Sequence, residues 1–323
     1  MTKENNLQFL RLLLAFMVFV THFIELSGFT SLTFARNFHY AIYAFFVVSG
    51  MLIYASVEKN DKKTYFKNRF LRIYPAYAFV ILFFSVLLFF VSKLTLKEYF
   101  SNEYLSYLVN NLSFLNFLKP CIHDVFALNP DNCAVNGSLW TIKIEVMFYI
   151  FVPVLFFLIK NKSRITANIC LASLYLMSFI YFYYFNEIQQ NNLYAKQFPG
   201  VLTYFVSGIL LYKNFHYFKR NIIWFIFPAL FFLQYKTSLL FPFSIAMIVF
   251  FVAFKLPYFS KLDFKNDYSY GLYLVHYPII QTIASFDFQN ENPIFYNVIV
   301  VVLACLFSYF LWHFIEKPVL KLR

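Results

Sequence analysis

LQFLRLLLAFMVFVTHFIELS, residues 7–27, is the stretch whose reading decides the fold. At about 1.5 Å per residue it is long enough, as a helix, to cross the roughly 30 Å of bilayer hydrocarbon. Its formal charges are Arg11 and Glu25 alone. The short polar N-terminus and the lack of a small-residue cleavage site after the run make it a retained span rather than a signal peptide. Nine further apolar runs follow, at 37–57, 73–92, 139–159, 165–185, 197–212, 219–234, 238–255, 268–286 and 294–314. The fold class is therefore all-α, a polytopic membrane bundle of about ten transmembrane helices.

Composition agrees. The 323 residues are 61% hydrophobic and 13% charged, with 48 Phe and 26 Tyr. A soluble domain carries about a quarter charged residues. No soluble interior of this length hides so much apolar surface, whereas lipid solvates it. Pro228, Pro242 and Lys236 crowd the junction of the seventh and eighth runs. Proline is tolerated in membrane helices when neighbours satisfy the freed carbonyls.

Orientation follows from the Lys and Arg residues. With the N-terminus in the cytoplasm, Arg36, Lys93, Lys97, Lys119, Lys196 and Lys236 fall outside, and Arg11 and Lys143 fall within spans. All the others, from Lys3 through Lys261 and Lys265 to Arg323, fall inside. This bias fits an even number of spans with both termini cytoplasmic. The net charge of +12 is thus explained by cytoplasmic loops and anionic lipid headgroups, and nucleic acid is excluded as a partner. Residues 1–323 read as a single transmembrane domain with one long outer segment, about 93–138, and no appended soluble domain. Cys121 and Cys133 lie in that segment. An oxidising exterior permits a disulfide between them, and two unpaired thiols are the alternative. Cys170 and Cys305 read as packing residues in spans.

Titratable side chains at membrane depth are costly, so each is a functional candidate. They are Arg11, His22, Lys143 and Glu145, with His276 a fifth. Arg11 and His22 share one helix, about 16 Å apart along its axis and on one side of it. Arg11 falls near the inner surface, where its ordinary reading is a snorkelling anchor. His22 falls in the outer half. Glu145, on a helix of opposite direction, falls at similar depth. A carboxylate beside an imidazole fixes its tautomer and raises its basicity, which prepares a general base. Glu25, one turn above His22, competes for that role, and a buried structural hydrogen bond is the ordinary reading. Arg69-Phe-Leu-Arg72-Ile-Tyr-Pro75 closes the second cytoplasmic turn. Two Arg three apart share a helix face and bind phosphate with forked bonds. With Lys62, Lys63 and Lys67 they outline a cytoplasmic phosphate site, against the plain reading of a basic loop. A phosphorylated donor at the inner face and a base higher in the bundle need a long flexible group to join them, the form of the pantetheine arm of coenzyme A.

At these residues the chain resembles the membrane-bound acyltransferase 3 family, which includes bacterial O-antigen and other surface-glycan O-acetylases. The resemblance is carried by Arg11-x10-His22, the run Phe45 to Leu52 around Ser49-Gly50, Arg69-x-x-Arg72-Ile73-Tyr74-Pro75, and Ser138-Leu139-Trp140 with Glu145 and Phe148-Tyr149. It continues in Ser269-Tyr270-Gly271-Leu272-Tyr273-Leu274-Val275-His276-Tyr277-Pro278 and ends in Glu316-Lys317-Pro318. What it implies is acetyl transfer from acetyl-CoA, as co-substrate, to a hydroxyl of a cell-surface or lipid-linked polysaccharide such as lipopolysaccharide O-antigen, in the bacterial cytoplasmic (inner) membrane. His22 is then the catalytic base, assisted by Glu145, and Arg11, Arg69 and Arg72 contact the acyl donor. Ser49, Trp140, Lys143, Tyr270, Tyr273 and His276 line the site. No bound cofactor and no metal are expected. Absence of the soluble hydrolase-like domain that many members append places the chain with stand-alone members. The competing reading is a transporter or flippase for a glycan or lipid, whose internal repeat is not seen. A cytoplasmic small-molecule acceptor is a third. The acceptor sugar and the oligomeric state are not legible in the sequence.

Overall fold

The computed structural model describes residues 5–27, 33–127, 129, 133–257, 259, 266–286 and 292–323. Lys3, Lys261 and Lys265 lie outside the described residues, as does the side chain of Arg36. Among the described residues every regular element is helical. The principal helices are α1 (Leu7–Ser27), α2 (Ala41–Lys59), α3 (Lys62–Leu87), α4 (Leu96–Tyr99), α5 (Asn102–Leu112), α6 (Trp140–Ile159) and α7 (Arg164–Tyr183). They continue with α8 (Asn192–Ala195), α9 (Phe198–Lys213), α10 (Phe215–Phe232), α11 (Phe241–Phe254), α12 (Ser269–Ala284), α13 (Pro293–Phe310) and α14 (Lys317–Leu320). A π-helical stretch, Leu311–Glu316, joins α13 to α14.

Each of the ten expected runs falls on a helix. Among the described residues six stretches are long and apolar enough to cross a membrane: Leu7–Ser27, Asn37–Lys59, Lys62–Phe90, Gly137–Ile159, Arg164–Ile188 and Pro293–Leu320. The other four are α9 to α12. Three are short, at 16, 14 and 16 residues for α9, α11 and α12. The fourth, α10, is broken at Asn221, whose φ of −104° and ψ of 17° leave the helical region. One boundary differs from expectation in a way that matters. α3 starts at Lys62, so Arg69 and Arg72 lie on a helix and not in a turn. Asp61 makes this possible, since its carboxylate accepts the Lys63 and Thr64 backbone N–H groups at 3.1 and 3.2 Å and so satisfies two of the orphan donors of the first turn.

Packing divides the chain into two compact units. The first comprises Met1–Leu14, Tyr40–Tyr65 and Ile144–Phe264. Its centre is the crossing of α2 and α9, and glycine sets the spacing. A Cβ at Gly50 would stand 2.2 Å from the Phe205 carbonyl oxygen, and one at Gly208 2.2 Å from that of Val47. Small residues that let backbones touch are how helices associate where lipid removes the hydrophobic drive. Aromatic rings fill the flanks: Tyr43 stacks on Tyr204 with centroids 4.3 Å apart, and Phe148 on Phe205 at 3.7 Å. Asn6 ties the start of α1 to the end of α11, donating to the Val252 and Pro257 carbonyls and accepting from the Phe259 N–H.

The second unit comprises Ala15–His39, Phe66–Lys143 and Lys265–Arg323. Its axis is α12, in which only Thr282 is not buried. α13 lies against it at Gly271, where a Cβ would meet the Ser308 carbonyl oxygen at 3.2 Å. The described residues of the segment 93–138 form helices and turns. Thr95 and Glu98 form a capping box on α4, and Asn111 holds the Tyr107 and Lys119 carbonyls while its own carbonyl accepts from the Tyr77 hydroxyl at 2.7 Å. Cys121 and Cys133 form a disulfide with Cα atoms 5.4 Å apart.

Candidate active site

α12 brings the site together within the second unit. His276 is fully buried at its middle. Its Nδ1 lies 3.0 Å from the Leu272 carbonyl oxygen, one turn back, and its Nε2 lies 2.8 Å from Nδ1 of His22 on α1. A carbonyl only accepts, so Nδ1 of His276 carries the proton. Nε2 of the neutral ring is then an acceptor, and Nδ1 of His22 donates to it. The neutral His22 is left with its lone pair on Nε2. A backbone carbonyl thus sets the tautomer of a half-buried imidazole through a second imidazole. The rings are nearly parallel, with centroids 5.1 Å apart, and Tyr277 meets His22 edge-on at 5.2 Å.

The approach to α6 buttresses this helix. Asn136 donates to the Leu274 carbonyl at 2.8 Å and accepts from the Ser138 hydroxyl at 2.6 Å. The Tyr273 hydroxyl donates to the Ser138 carbonyl at 3.1 Å and lies 2.5 Å from the Thr141 hydroxyl. A Cβ on Gly137 would fall 2.6 Å from the Tyr277 ring. Further along α12, Gln281 donates to the Ala134 carbonyl and accepts from Asn129 at 2.7 Å. The disulfide-closed segment is therefore fastened to the helix that carries His276.

At the start of α12 stands an ion cluster. Arg72 of α3 reaches Asp267 at 2.6 Å and Glu316 at 3.3 Å, with its guanidinium 5.6 Å from the Tyr270 ring centroid. The Tyr270 hydroxyl donates to the Ile73 carbonyl. Asp267 also accepts from the Ser269 hydroxyl and N–H. From Ser269 to His276 the helix rises about 10 Å.

The remaining candidates are placed as follows. Arg69 is half-buried on α3, and Lys62, Lys63 and Lys67 are exposed on the same helix. Lys143 sits 4.3 Å over the Phe117 ring, and Trp140 is half-buried beside it in sequence. Arg11, Ser49 and Glu145 belong to the first unit. There Glu145 accepts from the Tyr149 hydroxyl at 2.7 Å, and Arg11 and Ser49 are half-buried. Glu25 is exposed. The partner of Nδ1 of His22 is thus His276, a titratable candidate and lining residue in the sequence, and not Glu25 one turn away. Asp267 and Glu316 were given no role there. Their signals were present: an Asp two residues before Ser269 at a helix start, and an acid at the end of the last span. Among the described residues no group of three or more His, Cys, Asp or Glu side chains is arranged to hold a metal ion.

Six helical stretches of membrane-spanning length among the described residues mark a multi-pass membrane protein, and a hydrogen-bonded pair of imidazoles joins its α1 and α12. The chain belongs to the acyltransferase 3 family, as a family profile described as an acyltransferase domain matches residues 4–313. O-acetyltransferase OatA of Staphylococcus aureus (strain NCTC 8325 / PS 47) is 26% identical over 328 residues, covering 86% of this chain and 52% of that protein. YrhL of Bacillus subtilis (strain 168), named for peptidoglycan O-acetylation, is 24% identical over 343 residues, covering 89% and 52%. Nodulation protein 10 of Rhizobium leguminosarum bv. viciae is 24% identical over 356 residues, covering 99% and 94%. The chain spans about half the length of OatA and YrhL. No solved structure gives a significant match.

Proposed function

We propose that the chain is an O-acyltransferase that moves an acetyl group from acetyl-CoA to a hydroxyl of a cell-surface glycan, with Nε2 of His22 as general base. The observation that carries this reading is the hydrogen-bonded series from Leu272 through His276 to His22, which leaves a lone pair on a histidine inside an apolar helix. In the reaction Nε2 takes the proton of the acceptor hydroxyl as its oxygen attacks the thioester carbonyl. The tetrahedral adduct collapses with cleavage of the C–S bond. The proton on Nε2 passes to the departing thiolate, giving the O-acetyl ester and free coenzyme A. The base is regenerated and no redox change occurs.

The family supports acyl transfer, and the names of OatA and YrhL support acetyl and, for YrhL, peptidoglycan as the first acceptor to try. Acetyl-CoA is favoured by the basic residues of α3, where Arg69 and Lys67 would meet the donor's phosphates, and by the rise along α12 that a pantetheine arm can cover. Ten spans with both termini in the cytoplasm, in a bacterial inner membrane, complete the reading, since they place the α3 basic residues on the coenzyme A side. Arg11 and Glu145 enter only as residues whose substitution is expected to lower transfer.

The test is acetyl transfer by the purified full chain in lipid nanodiscs, with labelled acetyl-CoA and peptidoglycan fragments or lipid-linked glycan. Label should appear as an alkali-labile ester with wild type and be lost with His22→Ala. Wild-type rates in His22→Ala would sink the catalytic assignment. Glycan movement without coenzyme A would favour a flippase.

A further inference from the structure

Arg72 shares a helix face with Arg69, yet its surroundings are those of a different kind of residue. Its side chain is 14% exposed and lies between Asp267, at 16%, and Glu316, at 3%. Two carboxylates within ion-pair reach already neutralise one guanidinium. A diphosphate arriving there would meet two like charges and would have to displace at least one of them. Arg69 is on the same face of the same helix.

Further contacts of the cluster lead to α12. Asp267 shares its carboxylate between Arg72 and the first turn of that helix, through the Ser269 N–H and hydroxyl. Glu316 ends the π-helical stretch Leu311–Glu316, and one of its oxygens would stand 3.4 Å from a Cβ on Gly271 of α12. Tyr270 of α12 lies under the guanidinium and bonds back to α3 through the Ile73 carbonyl. π-helical irregularities recur at functional sites because they re-aim one side chain within a helix, and here the side chain aimed at the cluster is Glu316. Three helices therefore meet on one cation, and the one they fix carries His276.

We propose that Arg72 is a positioning residue. With Asp267 and Glu316 it sets the placement of α12, and so the His276 ring that orients His22, and it does not hold the phosphates of the donor. This rests on the acyl-transfer reading for its kinetic consequence. The ion cluster itself is independent of that reading.

The experiment uses the full chain in nanodiscs as wild type, Arg69→Ala, Arg72→Gln, Asp267→Asn and Glu316→Gln. Acetyl-CoA affinity and binding stoichiometry are measured by calorimetry and turnover by label transfer. A misplaced base costs up to about 100-fold. Asp267→Asn and Glu316→Gln should therefore lower kcat by about 10- to 100-fold, with acetyl-CoA bound at wild-type stoichiometry and with Kd within about twofold. The preserved stoichiometry shows that the lost turnover is not lost folded protein. Arg69→Ala should weaken donor binding about tenfold, the loss of one good phosphate contact. If Arg72 holds phosphate instead, removing a competing carboxylate frees its fork, so Glu316→Gln would tighten acetyl-CoA binding and Arg72→Gln would weaken it as Arg69→Ala does. Either result overturns the proposal. If wild type neither binds acetyl-CoA nor transfers acetyl, the acyl-transfer reading fails by itself. The cluster is then read from thermal stability, where Arg72→Gln and Glu316→Gln should be strongly non-additive, and additivity overturns it.

Discussion

Nδ1 of His22 lies 2.8 Å from Nε2 of His276, across 254 residues of sequence. Because His276 in turn faces the Leu272 carbonyl, the pair has one consistent arrangement of protons when both rings are neutral. The free lone pair belongs to His22, the less buried of the two. A base that must meet a substrate hydroxyl needs that exposure, and a residue that only orients it does not.

Substituting the two histidines should separate these roles. His22→Ala removes the base and should lower acetyl transfer by about 10²- to 10⁴-fold. His276→Ala leaves the base but frees its tautomer and ring angle, and should cost about 10- to 100-fold. Since His276 acts through His22, the double substitution should be no worse than His22→Ala alone. Steady-state rates for the three variants check this, and multiplicative losses would show that His276 acts by another route.

Gly208→Ala tests the core of the first unit. The added methyl would stand 2.2 Å from the Val47 carbonyl oxygen, which is backbone and cannot swing aside. Overpacking of this kind costs about 1–3 kcal/mol. A lower melting temperature in detergent is expected, whereas an unchanged one would mean that α2 and α9 do not approach so closely.

The Cys121–Cys133 bridge closes a short loop, with a sequence separation of 12. Chain-entropy reasoning gives about 3 kcal/mol for a loop of that order. Cys133→Ser should lower thermal stability. Because Gln281 fastens the adjoining Asn129 and Ala134 to α12, it should also lower acetyl transfer. Intact-mass analysis of the unreduced protein checks the bridge, which removes two hydrogens.

Orientation is open to a direct measurement. With both termini cytoplasmic, green fluorescent protein fused after Arg323 should fluoresce and alkaline phosphatase fused there should be inactive. Lys119→Cys should react with an impermeant maleimide from outside, and Arg220→Cys should not. Active phosphatase at Arg323 would place that end outside and overturn the orientation.

Much of the fold was legible because it is local. An apolar run of sufficient length is helical wherever it sits in lipid, so every expected run falls on a helix. Run length misjudged only elements whose ends depend on neighbours, such as α3, which Asp61 starts early, and α10, which Asn221 breaks. The site was legible in its parts. His22, Arg69, Arg72 and His276 stand out as polar groups in apolar surroundings, and that much the sequence by itself determined. Depth arithmetic, however, gives the height of a side chain and not its neighbour. Helix rotation and the meeting of segments far apart in the chain decided that His22 bonds to His276 and that Arg72 faces Asp267 and Glu316. Those pairings depend on where α1, α3 and α13 pack on α12, and only the tertiary structure carries that information.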